Sequence, residues 1–167
     1  LSQVGAFTDL GTLTPADFMV PYTMRVPFWS DKAYKYRWMM LPNDGTHDSP
    51  AEQIAYSQEG NWIFPAGAVW VKHFEYPIDD TDPTVTKRLE TRFSIKGTDG
   101  TVYGISYRWN DDETEAVLLR QAETDTLTIN TSNGNRTFSW YFPGRNDCSA
   151  CHNQASDGVL GPNTRQL

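Results

Sequence analysis

Arg88-Leu89-Glu90-Thr91-Arg92-Phe93-Ser94-Ile95-Lys96, then Gly97-Thr98-Asp99-Gly100, then Thr101-Val102-Tyr103-Gly104-Ile105-Ser106-Tyr107-Arg108-Trp109, is the stretch that decides the fold. Two runs rich in β-branched and aromatic residues flank a turn with two glycines, which predicts a β-hairpin. In the second run, period-2 alternation puts Tyr103, Ile105, Tyr107 and Trp109 on one face. The same logic extends outward. Ser132-Asn133-Gly134 between Thr126–Asn130 and Arg136–Phe142 predicts a second hairpin, because Asn-Gly suits the tight turn that matches strand twist. Ala68 to Tyr76 alternates too, with Trp70, Lys72 and Phe74 on one face and Val69, Val71 and His73 on the other. Trp62 to Phe64 reads as a short strand ending at Pro65-Ala66-Gly67, and Glu115 to Gln121 as another. The later part of Trp29–Pro42 reads as a strand stopped by the Asn43-Asp44-Gly45 turn.

Upstream, prolines at 15, 21 and 27 interrupt regular structure. Leu13-Thr14-Pro15-Ala16-Asp17 predicts one helical turn, with Thr14 as N-cap and Pro15 at the first position. The expected fold is therefore mainly β, an antiparallel sheet or sandwich-like domain. It has an irregular N-terminal segment and a short C-terminal tail.

The chain has 167 residues, enough for one domain with a core, 1–167. Its abrupt ends suggest a piece of a larger multidomain protein. Aromatics make up 13% and the net charge is −7. That charge argues against nucleic acid and anionic membrane surfaces as partners, since both require clustered Lys and Arg. No apolar run approaches the ~20 residues of a spanning helix, so membrane insertion is not expected. Asp79, Asp80 and Asp82, like Asp111-Asp112-Glu113, form acidic loops that read as solvated surface, with Ca²⁺ as the alternative.

The tail carries the chemistry. Cys148-Ser149-Ala150-Cys151-His152 contains the chain's only two cysteines, with a histidine directly after. C-x-x-C-H is the pattern of covalent haem attachment. Both thiols add to the haem's vinyl groups and the histidine becomes an axial ligand. Zinc would need a fourth ligand from His47, His73 or a carboxylate. A thioredoxin-like dithiol belongs at a strand–helix junction of an α/β fold, which this chain is not. The expectation is one covalent haem c on Cys148, Cys151 and His152, and hence an exported protein, periplasmic or extracellular.

No Met, His, Lys or Cys follows His152. A sixth iron ligand must therefore come from upstream: Met19, Met24, Met39, Met40, His47, His73 or a lysine. Each has a plainer reading. Met39 and Met40 would fill a core, His73 would be satisfied inside one, His47 would be solvated, and Lys35 and Lys72 would snorkel or pair.

Several segments, in order, resemble one family: Pro27-Phe28-Trp29-Ser30-Asp31-Lys32-Ala33-Tyr34-Lys35-Tyr36-Arg37, Trp62-Ile63-Phe64-Pro65-Ala66-Gly67, Val71-Lys72-His73-Phe74, Leu89-Glu90-Thr91-Arg92, Tyr107-Arg108-Trp109-Asn110-Asp111, and Cys148 to His152 with Thr164-Arg165-Gln166-Leu167. These are similar to the SO2930-type family of exported bacterial c-type haem proteins. Its modules also occur fused to quinoprotein-type sugar dehydrogenases and to carbohydrate-binding modules. The resemblance implies electron transfer linked to carbohydrate or polysaccharide oxidation. It implies a redox partner such as a quinoprotein dehydrogenase, a copper oxidase or another cytochrome. It carries lysines at Lys35 and Lys72, and so orders the distal candidates as Lys35, then Met40, then His73. A salt bridge from Lys35 to Asp31 or Glu90 is the structural rival. Two further functional readings compete with electron transfer: a haem enzyme or sensor with an open distal site, and a carbohydrate-binding module gripping sugar on Trp62 and Trp70.

Overall fold

A computed structural model describes residues 1–46, 48–153, 156 and 158–167. His47 lies outside them. Among the described residues ten strands and one α-helix follow in order, besides 3-10 turns at Ser2–Val4 and Pro50–Glu52: β1 Phe7–Asp9, β2 Thr14–Pro15, β3 Val20–Pro21, β4 Tyr34–Met40, β5 Val69–Pro77, β6 Thr86–Lys96, β7 Val102–Trp109, β8 Ala116–Leu118, β9 Glu123–Thr131, β10 Gly134–Phe142 and α1 Arg145–Cys151. The architecture is mainly β and antiparallel. β3 to β8 form one six-stranded sheet in sequence order, β9 and β10 form a separate hairpin, and β1 pairs with β2.

Both expected hairpins form. β6 pairs with β7 from Lys96↔Val102 to Glu90↔Arg108, and β9 with β10 from Thr131↔Gly134 outward. Gly134 adopts φ +104°, a turn conformation that favours glycine. Two expectations are corrected. Thr14–Pro15 is extended, because it pairs with β1 instead of opening a helical turn. Trp62–Phe64 forms no strand beyond a single bridge, Ala55↔Ile63, because Trp62 and Phe64 turn into a local cluster against Trp70.

The six-stranded sheet is covered on both faces. One face packs Trp38, Val71, Phe93 and Trp109 against the N-terminal segment, through Leu1, Phe7, Leu13 and Met19. Phe7 meets Trp38 edge-to-face at 5.1 Å. The other face is shared. The β9–β10 hairpin covers one part, where Leu127, Ile129, Trp140 and Phe142 bury Phe74 and Leu89. A bulge helps here. The pairing passes from Phe74↔Glu90 to Glu75↔Arg88, skipping Leu89. Leu89 then joins the apolar cluster, while Glu90 accepts a bond from the Trp140 indole at 2.9 Å. Beyond β10 the chain turns at Pro143-Gly144 into α1, which lies on β7 at the same face.

Candidate functional site

Where α1 crosses β7, its residues and the tail enclose one side of a cleft of about 280 Å³. The helix forms because Asp147 caps its start: the carboxylate accepts the Gly144 N–H at 2.9 Å and the Tyr141 hydroxyl at 2.7 Å. Those two bonds hold Asp147 below the ordinary carboxylate range. Cys148 and Cys151 stand three residues apart, one turn along a single helix face. Both are free thiols. The helix lies close because β7 carries glycine there: a β-carbon on Gly104 would overlap the Cys148 sulfur and β-carbon. Burial pushes the Cys148 thiol up.

His152 closes the helix, donating its backbone N–H to the Cys148 carbonyl at 2.9 Å. Its ring Nδ1 lies 2.8 Å from the carbonyl oxygen of Gly158. A carbonyl only accepts, so Nδ1 carries the proton and Nε2 keeps its lone pair. Gly158 takes φ +73° to bring that carbonyl round. Burial lowers the imidazole pKa, the Gly158 bond opposes that shift, and Lys72 and Arg92 add to it. Cys148, Cys151 and His152 all line the cleft, so the structure brings the three motif residues together.

The opposite wall is the sheet itself, with Trp70 and Lys72 of β5 and Arg92 and Ser94 of β6. Lys72 is pulled down to about 8, chiefly by burial and then by repulsion from Arg37, Arg92 and Lys35. Its ammonium lies 5.7 Å from the Phe74 ring centre. Arg92 donates to Glu90, Nε to Oε2 at 2.8 Å. Trp70 is 7% exposed and its indole nitrogen has no hydrogen-bond partner. Tyr22, pushed up to about 12 by burial, and Phe28 also reach the cleft. Phe28, Val26 and Trp29 leave an exposed apolar rim beside it.

The distal candidates fall elsewhere. Lys35 shares this sheet face but sits off the cleft, with Nζ donating to the Phe28 carbonyl and the Ser30 hydroxyl. Its pairing with Asp31 or Glu90 is not seen. Met40 packs into the core on the far face, with Met19. His73 is 0% exposed on that far face, bonded to Thr91 Oγ1 at 2.8 Å and Glu75 Oε1 at 3.2 Å. Met24 abuts Gly161 and Met39 packs in the Phe64–Trp70 cluster. The strand period explains all of this. Even positions of β5 lie on the face shared by the cleft and the β9–β10 hairpin, and odd positions face the N-terminal core.

Other proposed sites do not assemble. Among the described residues no three His, Cys, Asp or Glu side chains converge on a metal position. Of the fourth zinc ligands expected, His47 lies outside the described residues and His73 is engaged by Thr91 and Glu75 on the far face of the sheet. The acidic loops satisfy themselves: Asp79 accepts from Thr81 and Asn130, and Asp82 from Thr84. Of the two tryptophans of the sugar-binding reading, Trp70 packs edge-on against Phe64 at 4.8 Å and Trp62 is half-buried beside Tyr56 at 5.7 Å. Among the described residues no helix is long and apolar enough to cross a membrane.

No family model, curated protein or solved structure matches this chain. Gly104, Gly158 and Arg92 are site residues the sequence reading does not name, and Trp70 enters it only as a sugar-gripping ring. The alternation of β5 and β6 carries the signal for Trp70 and Arg92, since a lysine amid aromatics marks a face that is not plain core. Nothing in the sequence signals that Gly104 and Gly158 meet the motif.

Proposed function

We propose that this chain is a monohaem c-type cytochrome domain that transfers single electrons, exported from the cytoplasm and linked to carbohydrate or polysaccharide oxidation. The observation that carries it is the wall formed by Cys148, Cys151 and His152, with Nδ1 occupied by Gly158 and Nε2 left for iron. Each thiol adds across one vinyl double bond, sulfur to one carbon and hydrogen to the other, so nothing is lost. The Gly158 carbonyl orients the imidazole and fixes its tautomer, as an outer partner does for a metal-bound histidine. Gly104 leaves the room that Cys148 needs.

The remaining residues suit a flat apolar group bearing two carboxylates. Phe28, Val159 and Leu160 supply apolar surface. The unpartnered Trp70 indole N–H and the Arg92 guanidinium supply donors in a chain that is acidic overall. A bound haem supplies reversible one-electron chemistry between Fe(III) and Fe(II). A quinoprotein dehydrogenase, a copper oxidase or another cytochrome as partner follows from the family resemblance alone.

The test is expression in a bacterium that matures c-type cytochromes, followed by a haem-stained denaturing gel. The wild type should carry covalent haem and Cys148→Ala/Cys151→Ala should carry none. A haem-free wild type, produced beside a correctly matured control cytochrome, would overturn the proposal.

A further inference from the structure

Resting on that haem reading, we infer that Lys72 supplies the sixth iron ligand. The cleft has two walls. His152 stands on the helix wall, and Lys72 projects from β5 on the sheet wall. Among the described residues no methionine and no second histidine lines the cleft. His73 and Met40 belong to the opposite face of the sheet, and the Lys35 ammonium is tied to the Phe28 carbonyl and Ser30.

Three cleft side chains besides the motif and Lys72 carry oxygen donors. Asp147 is on the helix wall itself, its Oδ2 engaged by Gly144 and Tyr141. Ser94 is a neutral hydroxyl on a short stem, and a hydroxyl binds iron weakly. Tyr22 is the remaining rival and is tested below. Among the described residues Lys72 makes no ion pair. The carboxylate on its sheet face, Glu90, is already held by Arg92 and the Trp140 indole. A half-buried lysine facing a cleft, whose charge is offset only by the Phe74 ring and by a Glu90 already paired with Arg92, gains from a further partner for its nitrogen. As a neutral amine, Nζ gives its lone pair to iron and its ammonium proton passes to water. Burial of this side chain is what makes the neutral form accessible.

The experiment uses the full chain matured with haem, read by optical and electron paramagnetic resonance spectra. Lys72→Ala should convert a low-spin six-coordinate spectrum to a high-spin one, and the reduced variant should bind carbon monoxide where the wild type does not. Lys72→His should restore a low-spin spectrum with altered g-values, which shows that the variant folds and that the position reaches iron. Lys35→Ala and His73→Gln should leave the spectrum as in wild type, and Tyr22→Phe should keep it low-spin. An unchanged low-spin spectrum in Lys72→Ala, or its loss in Tyr22→Phe instead, would overturn the inference while the covalent haem on the gel still stood. A wild type without covalent haem would overturn the haem reading itself.

Discussion

Each face of the six-stranded sheet holds a histidine, and the two are treated in opposite ways. His73, on the face covered by the N-terminal segment, has both ring nitrogens engaged, by Thr91 and Glu75, and is fully buried. His152, held against the other face by α1, has Nδ1 taken by a backbone carbonyl and Nε2 turned to no hydrogen bond among the described residues. The surroundings differ in the same sense. Around His73 lie Trp109, Tyr36 and a closed core. Around His152 lie free thiols, a lysine and an indole N–H without a partner. A histidine satisfied on both sides holds a fold together, whereas one satisfied on a single side, in a cleft, is available for chemistry.

If that contrast is right, damage to the first face should cost stability and damage to the second should cost the site. The largest stability effect is expected for Trp38→Ala, which removes a buried ring packed on Phe7. The loss should be about 3–5 kcal/mol, read from urea denaturation of the far-ultraviolet signal. Gly104→Val should come next, at about 1–3 kcal/mol for overpacking. It would also push Cys148 off the sheet, so covalent haem attachment should fall much more than folding does. Comparing the yield of haem-bearing protein with the urea midpoint separates the two effects.

A pH experiment sharpens the contrast further. Burial holds the pKa of His73 below its ordinary value of 6.5, against the pull of Glu75. The unfolded chain therefore takes up the proton first as the pH drops. Stability from this residue is complete above about 6.5 and is lost as pH falls from there toward the lower folded value. His73 is packed among Glu75, Thr91, Tyr36 and Trp109, with Arg88 and Glu113 close enough to act electrostatically. Urea midpoints should decline over this window in the wild type and decline less in His73→Gln. Equal slopes would show that His73 does not titrate on unfolding. The smallest effect is expected for Lys35→Ala, at most about 1 kcal/mol, because its ammonium only ties the Phe28 loop to β4. A larger loss would mean that this loop bears on the whole fold.

Much of this layout is legible in the residues, and the exceptions have physical causes. Alternation along Ala68–Tyr76 separates Trp70, Lys72 and Phe74 from Val69, Val71 and His73, and the sheet keeps that division. The two turns with glycine set the two hairpins. The motif Cys148–His152 announces itself through spacing alone. What could not be read is how distant segments meet. The approach of α1 to Gly104 spans more than forty residues, and the Gly158 carbonyl reaches His152 only through a left-handed glycine. The choice among lysines depended on the Phe28–Ser30 loop folding back to occupy Lys35, a tertiary contact that no local pattern signals.

The most direct test of the contrast sets the two histidines against each other in protein matured with haem. His152→Ala should abolish the wild-type low-spin spectrum and its reversible one-electron reduction, while His73→Gln should leave both intact and only lower the urea midpoint. If His73→Gln altered the iron spectrum and His152→Ala did not, the faces would have been assigned the wrong way round.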